Sequence, residues 1–296
     1  MCIRDRSKLD TFQYRTFFNE QDLVLVNGNH FKAKNQIVTI DLRKEKSLER
    51  KLDRLTNVEL ILMEGEATEI YPFLKNHLSD WEKIPVLHFS EKQKIAEFIL
   101  QKMLVAKPPL NGLVLAGGKS TRMGRDKGAI DYHGKPQREY MVDLLNQFCE
   151  KTYLSVRPNQ GVKSVNELLE DKYLGLGPYG AILSAFQKNP NAAWLVVACD
   201  LPLLTEESLQ FLVEHRNVSE MATAFHNSET GFPEPLITIW EPKSYPILLQ
   251  FLAQGYSCPR KVLINSEIEV LKVSDEEVLT NVNDEEGLEK VMGRKG

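Results

Sequence analysis

Cysteine is scarce in this chain: Cys2, Cys149, Cys199 and Cys258 are the only four in 296 residues, and no two are spaced as CxxC. That scarcity excludes a disulfide framework and a zinc site built on cysteine pairs. Long apolar runs are missing too. The apolar stretches are strand-sized, as in "WLVVAC" (194–199), well short of the ~18–20 residues of a membrane span. No secretory apolar segment lies near the start, so a cytoplasmic location and no membrane partner are expected. Positive charge is not in excess, since 37 Lys+Arg against 41 Asp+Glu leave a net charge of −4. Such a balance argues against a nucleic-acid partner, yet allows a local basic loop that grips one phosphorylated small molecule. Internal repeats and low-complexity segments are also absent.

What remains, 42% hydrophobic and 26% charged, describes a globular chain long enough for one large or two ordinary domains. The opening "MCIRDRS" (1–7) leads into no periodic element and looks like translated adapter material. It is set aside, with the expectation that the native start is missing. Two alternating α/β stretches follow, separated at "AKPPLN" (106–111), where paired prolines stop a helix expected from Glu91 to Leu104. The domains are therefore placed at 1–106 and 110–296.

In the first, "DLVLVN" (22–27), "QIVTIDL" (36–42), "VELILM" (58–63) and "IPVLHF" (84–89) have strand character, and 45–55 and 68–79 are helical. In the second, a strand at 112–117 leads to a helix at 137–149 and a strand at 152–157. A loop at 171–180, a helix to Gln187 and a strand at 194–199 come next. Thr205 is placed as the N-cap of a helix reaching His215, and strands at 220–225 and 235–240 precede a helical tail. The polar stretch "NELLEDKYL" (166–174) is not expected to be a strand. The whole is α/β: a doubly wound, Rossmann-like, mainly parallel sheet preceded by a second, smaller α/β domain.

"LAGGKSTRMGRDKG" (115–128) holds four glycines, two lysines and two arginines directly after an apolar strand. A strand running into such a loop and then a helix gathers backbone N–H groups in one concavity, which suits a polyphosphate. Gly117 and Gly118 let the backbone approach the ligand, and Lys119, Arg122 and Lys127 offset its charge. "GKS" (118–120) is not a Walker A, because GxxxxGKS/T requires glycine at the position of Leu113. "GLGPYG" (175–180) satisfies GxGxxG but is set aside for want of a preceding strand.

Leu115 to Lys127 follows L-A-G-G-x-S-x-R-M-G-x-D-K. This resembles the signature loop of nucleotidyltransferases that attach a nucleoside monophosphate to a phosphorylated acceptor, in the form seen in the molybdenum cofactor guanylyltransferase family. "GKP" (134–136), Asp171, Gly177–Pro178–Gly180, "CDLP" (199–202), "EPL" (234–236) and "NVND" (281–284) fall in that family's order, so the resemblance spans about 110–296. It implies GTP and molybdopterin or its molybdenum-loaded form as substrates, and Mg²⁺ as cofactor. It also implies, as partners, other cofactor-biosynthesis proteins or the molybdoenzymes that accept the product. Leu115, Ala116, Gly117, Gly118, Ser120 and Lys127 would line the triphosphate cradle, with Arg122 and Lys127 stabilising charge as pyrophosphate leaves. Asp200, at the end of an apolar strand, would be the catalytic metal ligand. Asp171, with Gly177 nearby, would face guanine, since a carboxylate accepts from N1–H and the 2-amino group.

On the acceptor side the resemblance points to Ser257, Arg260 and Lys261 in "GYSCPRKVLIN" (255–265), and to Asn281 and Asn283. Turn formation is an equal reading for the two asparagines. Arg157 and Asn159 either flank the base or sit in a solvated loop. Cys258 and His133 are read as structural, since transfer to an existing phosphate needs neither a covalent intermediate nor a base. A cytidylyltransferase relative shares a similar loop, and a GTP-binding adapter or cofactor-storage module is the non-enzymatic alternative. The first domain weakly resembles the GTP-binding adapter of the same pathway. Asn27 replaces the acid of its "VEG" turn, which favours a nucleotide-free module that docks partners.

Overall fold

A computed structural model describes residues 18, 21–28, 34–117, 126–162, 166–282 and 285–294. The chain divides into two compact units between Lys107 and Pro108. In the smaller unit, β1 (Gln36–Ile40), β2 (Val58–Met63) and β3 (Val86–His88) form a parallel sheet in the order β1-β2-β3. The central strand is the near-continuous apolar run VELILM, as expected for a strand covered on both faces. Ile40, Ile61 and Leu74 anchor one core. Leu74 belongs to α2 (Pro72–His77), which begins with proline at its first position, where no N–H is needed. The expected helix at 45–55 is shorter: α1 spans Glu45–Glu49, and a 3-10 turn follows at Leu52–Arg54. α3 runs Lys92–Val105.

One expected strand of this unit does not form. Residues 22–27 belong to no strand of the described sheet, and Leu23, Val24, Leu25 and Val26 are exposed. An apolar run becomes a strand only where its backbone pairs with a sheet edge, and the described sheet of this unit holds β1, β2 and β3 alone.

The larger unit is built on a seven-stranded sheet ordered β10-β8-β9-β7-β4-β5-β6. Its strands are β4 (Leu110–Leu115), β5 (Lys151–Val156), β6 (Glu167–Glu170), β7 (Ala193–Ala198), β8 (Ala222–Asn227), β9 (Phe232–Trp240) and β10 (Glu269–Leu271). All neighbours are parallel except β9, which is antiparallel to both β7 and β8. The central strands β4 and β7 are almost wholly buried, and their side chains alternate between two cores. Val114, Leu195 and Val197 pack with α4 (Gln137–Leu145) and α6 (Glu206–Glu214). Leu113, Trp194 and Val196 pack with α5 (Pro178–Lys188), α7 (Ser244–Ala253) and α8 (Pro259–Ile264). Helices on both faces of a mainly parallel sheet make the doubly wound arrangement. The sheet grows from β4 through β5 to β6, then returns to the other side of β4 with β7. The topological switch lies between β4 and β7, where such folds open a crevice at the carboxyl ends of their strands.

Local signals account for several boundaries. Thr205 caps α6 through a reciprocal capping box with Ser208. A C-terminal helix, α9 (Glu285–Arg294), places Leu288 and Val291 with Val282 against Ile130, Tyr132 and Leu203. β6 corrects the reading of 166–174: Glu167–Glu170 pairs in parallel with β5. Only Leu169 of its four residues is buried, because an edge strand needs no apolar alternation. Among the described residues, no helix is long and apolar enough to cross a membrane.

Arg216 and Glu241 form a buried, bidentate ion pair, with Nε and Nη2 donating to the carboxylate at 2.6 and 2.9 Å and Nη2 also to the Pro108 carbonyl at 3.0 Å. Removing one partner of such a pair leaves a buried charge unpaired. Arg216→Ala is therefore expected to lower unfolding free energy by about 3–5 kcal/mol, measured as a fall in the urea midpoint at unchanged slope.

Candidate active site

The strand ends at the switch point build one cleft of about 650 Å³, lined among others by Leu115, Ala116, Gly117, Lys127, Asp171, Gly177 and Asp200. Seven residues singled out in the sequence thus meet, although they are spread over 86 positions of chain, 115 to 200 inclusive. Gly118, Lys119, Ser120, Arg122 and Asn283 lie outside the described residues.

Asp200 follows β7 by two residues. Its Oδ2 accepts from Lys127 Nζ at 3.3 Å, and its Oδ1 is buried with no hydrogen-bond partner. A buried carboxylate oxygen without a donor is costly, and an arriving cation relieves that cost. Mg²⁺ commonly binds one or two carboxylates and completes its shell with water and phosphate oxygens. The donor set therefore fits that ion, with Asp200 as the ligand. No cluster of three or more His, Cys, Asp or Glu occurs among the described residues.

Lys127 is held from its neighbour. Asp126 Oδ1 accepts from Gly128 N at 3.0 Å, capping the 3-10 turn Lys127–Ala129, while Asp126 Oδ2 accepts from Arg138 Nη1 of α4 at 2.7 Å. The Asp200 carbonyl, in turn, accepts from Val282 N at 2.8 Å. That bond ties the segment at Asn281–Val282, so distant in sequence, to the backbone of Asp200, while Asn281 itself is exposed and does not line the cleft.

The opposite wall comes from β5 and the loop after β6. Ser155 Oγ donates to Asp171 Oδ1 at 2.8 Å. A turn at Arg157–Gln160 is closed by the Gln160 N–H to the Arg157 carbonyl and needs a left-handed residue, which Asn159 supplies with φ 61°. Asn159 is thus a turn residue, whereas Arg157 lines the cleft and has its Nε buried without a partner. Gln160 Nε2 donates to the Ala116 carbonyl at 2.8 Å and ties this turn to the glycine loop. A β-carbon on Gly117 would lie 3.4 Å from Arg157 Cγ and 3.5 Å from Asp171 Oδ2, filling cradle space.

Gly177 caps α5 with φ 57° and ψ −137°, a conformation open to glycine alone. Gly180 lies where a β-carbon would fall 2.1 Å from the Tyr173 carbonyl oxygen, so the first turn of α5 rests directly on the Asp171 loop. This loop does follow a strand, which removes the sequence ground for setting aside GxGxxG. The strand is β6, however, at the sheet edge, and not at the switch point where a dinucleotide fingerprint works.

The acceptor-side candidates divide. Ser257 and Lys261 are exposed, and Lys261 Nζ stacks over Tyr256 at 5.0 Å. Neither lines the cleft. Arg260 instead reaches the buried carboxylate of Glu234. His133 Nε2 lies 3.1 Å from the Pro202 carbonyl, and its ring stacks on Tyr140, a structural placement. Cys258 is the N-cap residue of α8. Sequence reading gave no individual role to Asp126 and Glu234, which fall within its motifs, and missed Arg138, Ser155 and Gln160. Ser155 and Glu234 had a signal as isolated polar residues within apolar strands; Gln160 had none.

Comparison with known proteins gives a consistent picture. The family model described as "MobA-like NTP transferase domain" matches residues 112–270. A Synechocystis protein named "Molybdenum cofactor biosynthesis bifunctional protein" is 35% identical over 196 residues, 65% of this chain and 56% of its own length. The chain thus spans little more than half of that relative. A Pseudomonas putida "Molybdenum cofactor guanylyltransferase" is 27% identical over 62% of this chain and 98% of its own. Among solved structures, molybdopterin-guanine dinucleotide biosynthesis protein A from Archaeoglobus fulgidus shares the fold, with a TM-score of 0.52, 20% identity, and coverage of 62% of this chain and 98% of that one.

Burial raises the Asp171 carboxyl above its ordinary range, against the lowering effects of the Ser155 hydroxyl and Arg157. A carboxyl raised on folding destabilises the folded state once pH exceeds its folded pKa, and stops doing so below the unfolded value of about 3.9. Asp171→Asn is therefore expected to melt at or above the wild-type temperature at pH 7. That advantage should vanish as pH falls through the carboxylate range, as thermal unfolding at stepped pH would record.

Proposed function

Because the chain belongs to the MobA-like NTP transferase domain family, we propose that it transfers GMP from GTP to the phosphate of molybdopterin or its molybdenum-loaded form, releasing pyrophosphate. The observation that carries this reading is Asp200 at the switch-point cleft, one oxygen facing Lys127 and the other without a donor. The names of the relatives from Pseudomonas putida and Synechocystis support the same acceptor.

In this mechanism the acceptor phosphate, already ionised at neutral pH, attacks the α-phosphorus of GTP in line. The new P–O bond forms as the bond to the β-phosphate oxygen breaks, and pyrophosphate departs with that electron pair. No covalent enzyme intermediate is required. Asp200 would hold a Mg²⁺ ion, which would supply neutralisation of charge on the phosphate oxygens. Gly117 keeps the cradle open, while Lys127, set by Asp126 and Arg138, offsets charge that builds at the phosphates. Asp171, oriented by Ser155, accepts from the N1–H and 2-amino group of guanine. Catalysis is positioning and charge stabilisation throughout. We read the amino-terminal unit as a module that docks proteins of the pathway, with Asn27 in the place of a metal-binding acid.

The test is a screen of each nucleoside triphosphate with Mg²⁺ and purified molybdopterin. GTP is expected to yield the dinucleotide, and Asp200→Asn to lower its formation by about 10²–10³-fold while GTP binding persists. Turnover with CTP in place of GTP would replace the reading with cytidylyl transfer. A sugar phosphate as the sole acceptor would leave only the wider class, and GTP binding with no product in any arm would make the chain an adapter.

A further inference from the structure

Three consecutive carbonyls that follow β7 each accept a bond from outside their own loop. The Asp200 carbonyl accepts from Val282 N at 2.8 Å, and the Pro202 carbonyl from His133 Nε2 at 3.1 Å. Between them, the Leu201 carbonyl accepts from Leu204 N at 3.2 Å and, more weakly, from Gln137 Nε2 at 3.5 Å. A carbonyl only accepts, so Nε2 of His133 carries a proton and the Gln137 amide must turn its NH₂ toward Leu201. That orientation leaves Gln137 Oε1 buried with no partner, on a side chain with no exposed surface. An unsatisfied buried oxygen destabilises the fold, so packing alone does not account for glutamine at 137.

Both side chains project from one closed turn, 130–137. Asp131 and Pro136 form an antiparallel bridge across it, Asp131 Oδ1 accepts from His133 N at 3.0 Å, and Gln137 N donates to the Ile130 carbonyl at 2.8 Å. Gly134, at φ 78°, makes the reversal. The His133 ring lies flat on Tyr140 of α4, with centroids 3.6 Å apart and planes 2° from parallel. At its other end the turn continues directly from the 3-10 turn Lys127–Ala129, whose lysine meets the Asp200 carboxylate at 3.3 Å. One braced segment therefore reaches the Lys127–Asp200 pair twice: along the chain to Lys127, and through two side-chain donors to the backbone just after Asp200.

We propose that His133 and Gln137 are positioning residues: they clamp the Pro202 and Leu201 carbonyls to the 130–137 turn and so fix the direction in which the unpartnered Oδ1 of Asp200 meets a divalent cation. The inference rests on the reading of Asp200 as the metal ligand. β7 ends at Ala198, two residues short of Asp200, so the sheet ladder does not itself set the direction of this carboxylate. The bonds to the three carbonyls supply that constraint. Neither His133 nor Gln137 lines the cleft, and both act through the backbone. Groups that orient a metal ligand from behind change metal affinity by about 10–100-fold when removed. His133, with the shorter bond, carries more of the effect than Gln137.

Direct metal binding decides it. Mn²⁺, followed by the loss of its free electron-paramagnetic-resonance signal, is titrated into the full chain held in excess over GTP. His133→Phe keeps a flat ring on Tyr140 but has no donor, and should raise the Mn²⁺ concentration for half-occupancy by about tenfold or more. Gln137→Met should raise it by about threefold or more, yet melt at or above the wild-type temperature, because the unsatisfied oxygen is gone. A purely structural role for Gln137 would not move the two readouts in opposite directions. His133→Gln restores an N–H at a similar reach and should bind Mn²⁺ within about twofold of wild type. GTP binding in EDTA should stay within about twofold in all three, and in an Asp200→Asn background none should weaken Mn²⁺ further. Unchanged Mn²⁺ binding in both His133→Phe and Gln137→Met overturns the proposal, as does an equal loss in the Asp200→Asn background. If His133→Phe melts early, Gln137→Met carries the test. Mn²⁺ binding by wild type no tighter than by Asp200→Asn overturns the metal-ligand reading and the proposal together, whereas failure of molybdopterin as acceptor would remove the functional reading alone.

Discussion

The larger unit depends on Asp200 being held in place and incompletely satisfied at the end of a buried strand. Burying a carboxylate is unfavourable unless donors or cations surround it, and only one of its oxygens has such a partner, Lys127. The other contacts serve to keep it there. The Val282 N–H takes its carbonyl, and the 130–132 turn, Leu203 and α9 pack around Val282. The free oxygen is what a metal–nucleotide complex can use.

The cleft divides its labour among elements of different stiffness. β4 and β7, buried on both faces, set the positions of Leu115 and Asp200 to within the tolerance of a parallel ladder. The walls are short turns clamped by single hydrogen bonds: Gln160 to Ala116, Ser155 to Asp171, Asp126 to Gly128. Glycine is required at two of these places for different reasons. Gly177 takes a backbone conformation closed to other residues, and Gly180 permits a contact that no side chain would allow.

Much of this was legible in the sequence where burial and function act through local pattern. β7 announced itself as an apolar run ending in Asp200, Thr205 as a cap, and Leu115–Lys127 as a glycine-rich loop after a strand. Two strands were misread for the same reason. β6 forms at a sheet edge from two glutamates and two leucines, and the apolar run at 22–27 joins no strand of the described sheet. Both outcomes are set by pairing with distant strands, which no local pattern records. Gln160 was invisible because its role is one amide bond to the carbonyl of a residue 44 positions away.

Composition, periodicity and motif order, then, determined by themselves the α/β class, the division of the chain near the paired prolines and the apolar strand that ends just before Asp200. These follow from short-range steric rules and from burial, both written locally in the chain. Only the tertiary structure decided which polar residues meet: that Asp126 pairs with Arg138, that the Val282 N–H takes the Asp200 carbonyl, and that Glu234 of β9 meets Arg260. Such pairings depend on strand order, register and bulges, and a shift of a single residue in register would dissolve them without altering any local signal.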